Sequence, residues 1–282
     1  CAGTELTASE RNLYREADPL GFILFARNIN TPEQVRCLTD DLRESVGRQD
    51  AIIMIDQEGG RVQRLRPPHW PQYPAMQMIG KRAGADPDGA AACVESIYRL
   101  IAEDLSLLGI DVNCAPVLDV PAPNGHEIIG DRAFSHDPEL ISLLGQACCN
   151  GLIAGGVIPV VKHIPGHGRS TADSHLVLPH VETERVVLEA TDFKPFHALR
   201  GAAAGMTAHI IYDDLDPNYP ASLSRAIVSD IIRGHIGFHG LLFSDDVCMK
   251  ALKGPIATRV TSVLHAGCDL ALHCDANFDD MM

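Results

Sequence analysis

The chain has no apolar run of membrane-spanning length and shows no secretory signal, which argues against a helical span and against signal-led export. Its nine cysteines include no CxxC pair and no zinc-like spacing. They stand singly apart from Cys148-Cys149, with Cys114 and Cys268 in apolar surroundings. That usage predicts free, buried thiols in a reducing cytoplasm and excludes a disulfide framework. Cations are scarce: Lys+Arg number 23 against 37 Asp+Glu, a net charge of -14. The balance argues against DNA or an acidic membrane as partner. No G-x-x-x-x-G-K-[ST] occurs, and no G-x-G-x-x-G follows a strand. Gly59-Gly60 therefore reads as a tight turn after Glu58. Internal repeats, low-complexity linkers and composition shifts are also missing, so residues 1–282 read as one domain. The chain starts at Cys1 without a Met and stops at Met281-Met282 soon after a strand, and both ends read as trimmed.

What is present is a globular composition, 46% hydrophobic and 21% charged, over 282 residues. That length suits an α/β barrel as one unit. Apolar runs with Gly flanks and polar ends predict strands at 21–25, 51–55, 110–117, 157–161, 206–210, 240–244 and 269–273. Helices are predicted between them. Thr31-Pro32-Glu33-Gln34 supplies a cap with proline in the first turn, and Thr7-Ala8-Ser9-Glu10 resembles a capping box. Further helices are predicted over 90–108, 140–152, 186–201 and 256–266. Strands alternating with helices imply a parallel sheet. With residues 1–6 as the tail of a trimmed first strand, the count reaches eight and predicts a (β/α)8 TIM barrel. A doubly wound open sheet is the alternative.

Four of these strands end in reactive side chains. One delivers Asp56-Gln57-Glu58-Gly59-Gly60-Arg61-Val62-Gln63-Arg64, and another delivers Lys162-His163 into a loop reaching Asp173-Ser174-His175. A third carries His209, and a fourth ends in Ser244-Asp245-Asp246. In a barrel these ends converge on one face. A single such charge is as readily a cap for the next helix, but four together favour a site. Adjacent carboxylates in a strand point to opposite sides, so one of Asp245 and Asp246 faces a cleft and the other braces a loop. Alternation alone does not say which. Asp173 and His175 fit a proton-shuttling pair, with a helix cap and a surface histidine as the bland reading. His163, His167, Asp173, His175 and His209 are also candidate metal ligands. Against this, His163 and His167 flank Pro165-Gly166 and do not share a helix face, and Lys162 would repel a divalent ion.

Taken together these elements resemble glycoside hydrolase family 3, in its single-domain bacterial β-N-acetylhexosaminidase branch. The resemblance is carried by 21–28, 55–64, 129–135, 162–175, 206–209, 220–224, 240–246 and 266–269, nearly end to end. It implies a retaining exo-hydrolase that removes terminal β-linked N-acetylglucosamine from muropeptides, N-acetylglucosamine joined to anhydro-N-acetylmuramic acid, during peptidoglycan recycling in the cytoplasm. It places the nucleophile on Asp245 and the acid/base on His175 with Asp173. It places sugar-binding roles on Asp56, Arg64, Arg132, Lys162 and His163. It implies no cofactor, no metal, no nucleic-acid or membrane partner, and a monomer. A phosphorylase is the near rival, since a histidine acid/base does not repel phosphate. A metal-dependent barrel hydrolase and a non-catalytic sugar-binding protein are the more distant ones. Cys248 stands where a small polar residue is often found, a change expected to alter packing only.

Overall fold

The computed structural model describes every residue of the chain except Asn124 and His175. The seven predicted strands all form and join in one parallel sheet. In chain order they are β1 (Gly21–Leu24), β2 (Ile52–Ile55), β5 (Val112–Asn113), β6 (Ile158–Ile164), β8 (Ala204–Thr207), β10 (Leu241–Asp246) and β11 (Leu270–Leu272). Their spatial order is the same, β1-β2-β5-β6-β8-β10-β11. Two small ladders lie outside it. One is the antiparallel hairpin of β3 (Gln57–Gly59) and β4 (Val62–Gln63), and the other pairs β7 (His180–Val181) with β9 (Ile211–Tyr212).

The strands connect through helices α1 (Ala8–Ala17), α2 (Pro32–Val46), α3 (Met76–Gly80), α4 (Pro87–Ser106), α5 (Pro138–Ala154), α6 (Arg185–Ala190), α7 (Lys194–Ala198), α8 (Ile256–Ala266) and α9 (Phe278–Met281). A π-helical segment, Ile227–His235, precedes β10. The predicted starts are made as read: Thr31 accepts from the Gln34 N–H, and Thr7 and Glu10 complete a reciprocal capping box. The helix predicted over 186–201 is split into α6 and α7. At the break the buried Asp192 turns to Arg169 instead of solvent. None of the helices is long and apolar enough to cross a membrane among the described residues.

Strand alternation builds two apolar layers. Phe22, Leu24, Ile53, Ile55, Val161, Ile164 and Leu242 face the helices within the main core. Ile23, Met54, Val112, Val160, Met206, Phe243 and Leu272 form a second cluster on the other face. That cluster draws on all seven strands, so the sheet curls around it.

The sheet does not close, and the expected (β/α)8 barrel is corrected to an open, seven-stranded parallel α/β sheet. Residues 1–6 supply no strand. Their main-chain groups are taken by side chains instead: Asn28 Nδ2 donates to the Cys1 and Gly3 carbonyls, Gln34 Nε2 donates to the Thr4 carbonyl, and Glu10 accepts from the Ala2 N–H. Between the edges β1 and β11 lies a cavity of about 660 Å³, lined by Leu13, Tyr14, Phe22, Val260, Leu272 and Met281 among others.

Candidate active site

A second cavity, about 570 Å³, opens where the C-terminal ends of the strands meet. Its wall includes Asp56, Glu58, Arg64, Arg132, Lys162, His163, His167, Asp245 and Asp246. Several elements contribute. Asp56 follows β2, Glu58 and Arg64 come from the hairpin after it, Lys162 and His163 end β6, and Asp245 and Asp246 end β10. Lys162 and His163 are sequence neighbours, yet both line the cavity. The β6–β8 register shifts between Lys162 and Ile164, which breaks strict alternation at that point.

A buried ion-pair network forms one side. Lys162 Nζ lies 2.9 Å from Asp56 Oδ1 and 2.7 Å from Glu58 Oε1. Arg64 pairs with the other Asp56 oxygen at 3.0 Å. Arg132 forks onto Glu58 through two bonds of 2.9 and 2.8 Å. Burial alone would raise both carboxyls, but the cations outweigh it. Arg132 and Lys162 hold Glu58 at about 2, and Lys162 and Arg64 hold Asp56 well below the usual carboxylate range. Burial opposes the charge on Lys162, and the two carboxylates reverse that and raise its pKa. The predicted residues Asp56, Arg64, Arg132, Lys162 and His163 are thus brought to one wall. Glu58 links two of them, Arg132 and Lys162, and carries no assigned role in the sequence reading.

His163 is held from behind by Asp119, a residue fully buried in the segment that follows β5. His163 Nδ1 lies 2.7 Å from Asp119 Oδ2, and Asp119 Oδ1 accepts from the main-chain N–H of His163 at 3.2 Å and of His167 at 2.7 Å. His167 stacks edge-on against His163, with centroids 5.5 Å apart, and its Nε2 meets Ser174 Oγ at 3.1 Å. Burial, reinforced by His163, lowers the His167 pKa to about 4, so this ring is neutral at pH 7. The loop after β6 also packs on the loop after β5. Ala122 N–H donates to the Gly168 carbonyl, and a Cβ on Gly168 would sit 2.0 Å from the Val120 oxygen, so only glycine permits the approach.

The two terminal aspartates of β10 differ in what they touch. Asp246 Oδ1 accepts from the main-chain N–H groups of Cys248 and Cys274, tying the end of β10 to the segment after β11. Asp245 accepts from the Asp246 N–H at 2.8 Å. Burial would raise Asp245, but His163, His209 and that N–H lower it on balance. His209 is also buried and held on both sides. Its Nε2 lies 2.9 Å from the Asp246 carbonyl, which only accepts, so Nε2 carries the proton and Nδ1 accepts from Ser222 Oγ at 2.6 Å. Burial lowers its pKa, and the ring is a neutral brace. Cys248, expected to affect packing only, lies on the cavity wall itself.

Asp173 lies directly before the cavity-lining Ser174, and its carbonyl accepts from the Leu176 and Val177 N–H groups. His175 lies outside the described residues. Among the described residues no group of three or more His, Cys, Asp and Glu side chains is arranged to hold a metal ion.

Residues 6–281 match the family described as "Glycosyl hydrolase family 3 N terminal domain". A β-hexosaminidase of Pseudomonas aeruginosa is 41% identical over 276 residues, covering 97% of this chain and 80% of that protein. A crystal structure of NagZ from Neisseria gonorrhoeae in complex with N-trifluoroacetyl-D-glucosamine superposes with a TM-score of 0.91 at 36% identity, covering 100% of this chain and 81% of the other. A glycoside hydrolase family 3 β-N-acetylglucosaminidase from Paenibacillus sp. superposes with a TM-score of 0.87 at 32% identity, over 97% of this chain and 52% of that one.

Proposed function

This chain belongs to glycosyl hydrolase family 3 and is a β-N-acetylhexosaminidase, and on that premise we propose that it works with retention through a glycosyl ester on Asp245. The observation that carries the reading is the division of labour at the end of β10. Asp246 spends its carboxylate on main-chain N–H groups, while Asp245 stands ionised on the wall of the cavity that the Lys162 network also lines. A carboxylate held ionised by His163 and by the Asp246 N–H suits attack on an anomeric carbon.

In the first step an Asp245 oxygen bonds to the anomeric carbon as the glycosidic C–O bond breaks. The departing oxygen takes its proton from His175, supported by Asp173. In the second step His175 removes a proton from water, the water oxygen bonds to the anomeric carbon, and the ester bond breaks to restore Asp245. Asp56, Arg64, Arg132, Lys162 and His163 bind the terminal sugar through directional or charge-assisted hydrogen bonds. The aminosugar carried by the Neisseria structure and the name of the Paenibacillus relative support N-acetylglucosamine as that sugar. The substrate in this reading is a muropeptide, N-acetylglucosamine on anhydro-N-acetylmuramic acid, cleaved by a cytoplasmic monomer during cell-wall recycling.

Acid catalysis matters most for a poor leaving group. His175→Ala should therefore cripple cleavage of a disaccharide and spare an activated aryl glycoside far more, with Asp173→Ala acting in the same direction. Turnover of both variants on both substrates checks this. A uniform loss across leaving groups contradicts the acid/base assignment.

A further inference from the structure

Among the described residues, Asp119 does not line the cavity, and its hydrogen bonds go to His163 and the turn that follows it. A fully buried carboxylate is costly unless its lone pairs are satisfied, and here three N–H donors converge on its two oxygens. Burial would raise its pKa, but His163 and His167 outweigh that and hold it at about 2, so it is an acceptor only. The consequence falls on His163. An ionised carboxylate cannot donate, so the bond at 2.7 Å requires the His163 proton on Nδ1. Nε2 is left for the cavity that His163 lines.

We propose that Asp119 is a positioning residue for the hydrolysis: it selects the His163 nitrogen presented to the sugar and keeps the 163–167 turn in register with Asp245. In neutral His163, Nε2 then accepts from a sugar hydroxyl. In protonated His163, it donates. The same carboxylate fixes the His167 main chain, so one buried group sets both His163, which acts electrostatically on Asp245, and the turn that carries His167. The proposal rests on the hydrolase reading for its effect on turnover, but its structural half is measurable without substrate.

The test is Asp119→Asn in the full chain. An amide has one acceptor oxygen and one donor nitrogen. Whichever way it turns, an N–H faces an N–H, either at His163 Nδ1 or at the main-chain pair. With the oxygen kept on the main chain, relief comes from moving the ring proton to Nε2, which offers the sugar a donor in place of an acceptor. The expected result is a folded variant whose kcat/KM on an aryl N-acetyl-β-glucosaminide falls about 100-fold, the order of loss from a small misplacement of a reacting group. Its pH profile should shift, and histidine ¹⁵N spectra, assigned by His163→Gln, should show the His163 proton leaving Nδ1. A folded variant with unchanged kcat/KM and an unchanged His163 spectrum overturns the proposal. If the variant does not fold, the native protein decides. Neutral His163 protonated on Nδ1 supports the proposal, and neutral His163 protonated on Nε2 overturns it. If the native protein cleaves no aminosugar, the hydrolase reading fails, while that spectrum still tests the tautomer.

Discussion

Asp245→Ala should lower turnover of an N-acetyl-β-glucosaminide on the order of 10⁵-fold, as expected when a covalent nucleophile is removed, while the fold survives. Two features of the site set that expectation. Asp245 is the β10 carboxylate not committed to loop main chains, and the charge it needs for attack is already favoured by His163 and the Asp246 N–H. Asp246→Ala should behave differently. It leaves the Cys248 and Cys274 N–H groups without their acceptor, so its main expression should be a lower melting temperature. Parallel activity assays and melting curves separate the two. Abolished activity in the Asp246 variant with activity kept in the Asp245 variant would mean the wrong carboxylate has been assigned.

Lys162→Ala should cost about 3–5 kcal/mol of stability, the scale for removing one partner from a buried ionic cluster. The ammonium is shared by Asp56 and Glu58, and the Lys162 and Glu58 side chains are only 3% and 4% exposed. Without it, two carboxylates face each other with Arg64 and Arg132 as their remaining cations. The pH dependence gives a second signature. Glu58 is held at about 2 against an ordinary 4.5, and Asp56 is shifted the same way. Groups with lowered pKa contribute stability above their unfolded values and lose it as pH falls through the folded ones. The native protein should therefore weaken from about pH 4.5 towards 2. Lys162→Ala should show a shallower acid loss, because the lysine's share of the downward shift is gone. Urea unfolding at pH 7, 5 and 3 measures both. A variant within 1 kcal/mol of the native protein at pH 7, with an unchanged acid slope, contradicts the account.

Strand positions were legible because parallel strands buried on both faces read as short apolar runs, and Gly21, Gly156 and Gly240 marked their starts. Closure was not legible. Whether residues 1–6 make a strand depends on Asn28 and Gln34, distant in sequence, and on Glu10 in the next helix taking up their main-chain groups. The cavity-lining residues Asp56, Lys162 and His163 stood out as ionisable groups directly after apolar runs. Glu58 did not, because beside Gly59-Gly60 it read as part of a turn. Asp119 had a usable signal, a carboxylate two residues past the run ending at Val117, but its value lies in contacts with His163 and His167 that no local pattern encodes. The choice between Asp245 and Asp246 was beyond alternation for a similar reason. The β10–β11 register shifts between Phe243 and Asp246, so the period of two does not hold there.

The claim at the centre of this account is that Asp245 carries the sugar between the two steps. Incubating the native protein with a 2-fluoro glycoside bearing an activated leaving group slows both steps, and the leaving group lets the first proceed, so the ester accumulates. Mass spectrometry of the intact protein and of its peptides then reads the outcome directly. The account predicts a mass gain of one fluorosugar, located on the peptide at Asp245. A label on Asp246 or any other residue, or complete turnover of the reagent with no adduct, would contradict it.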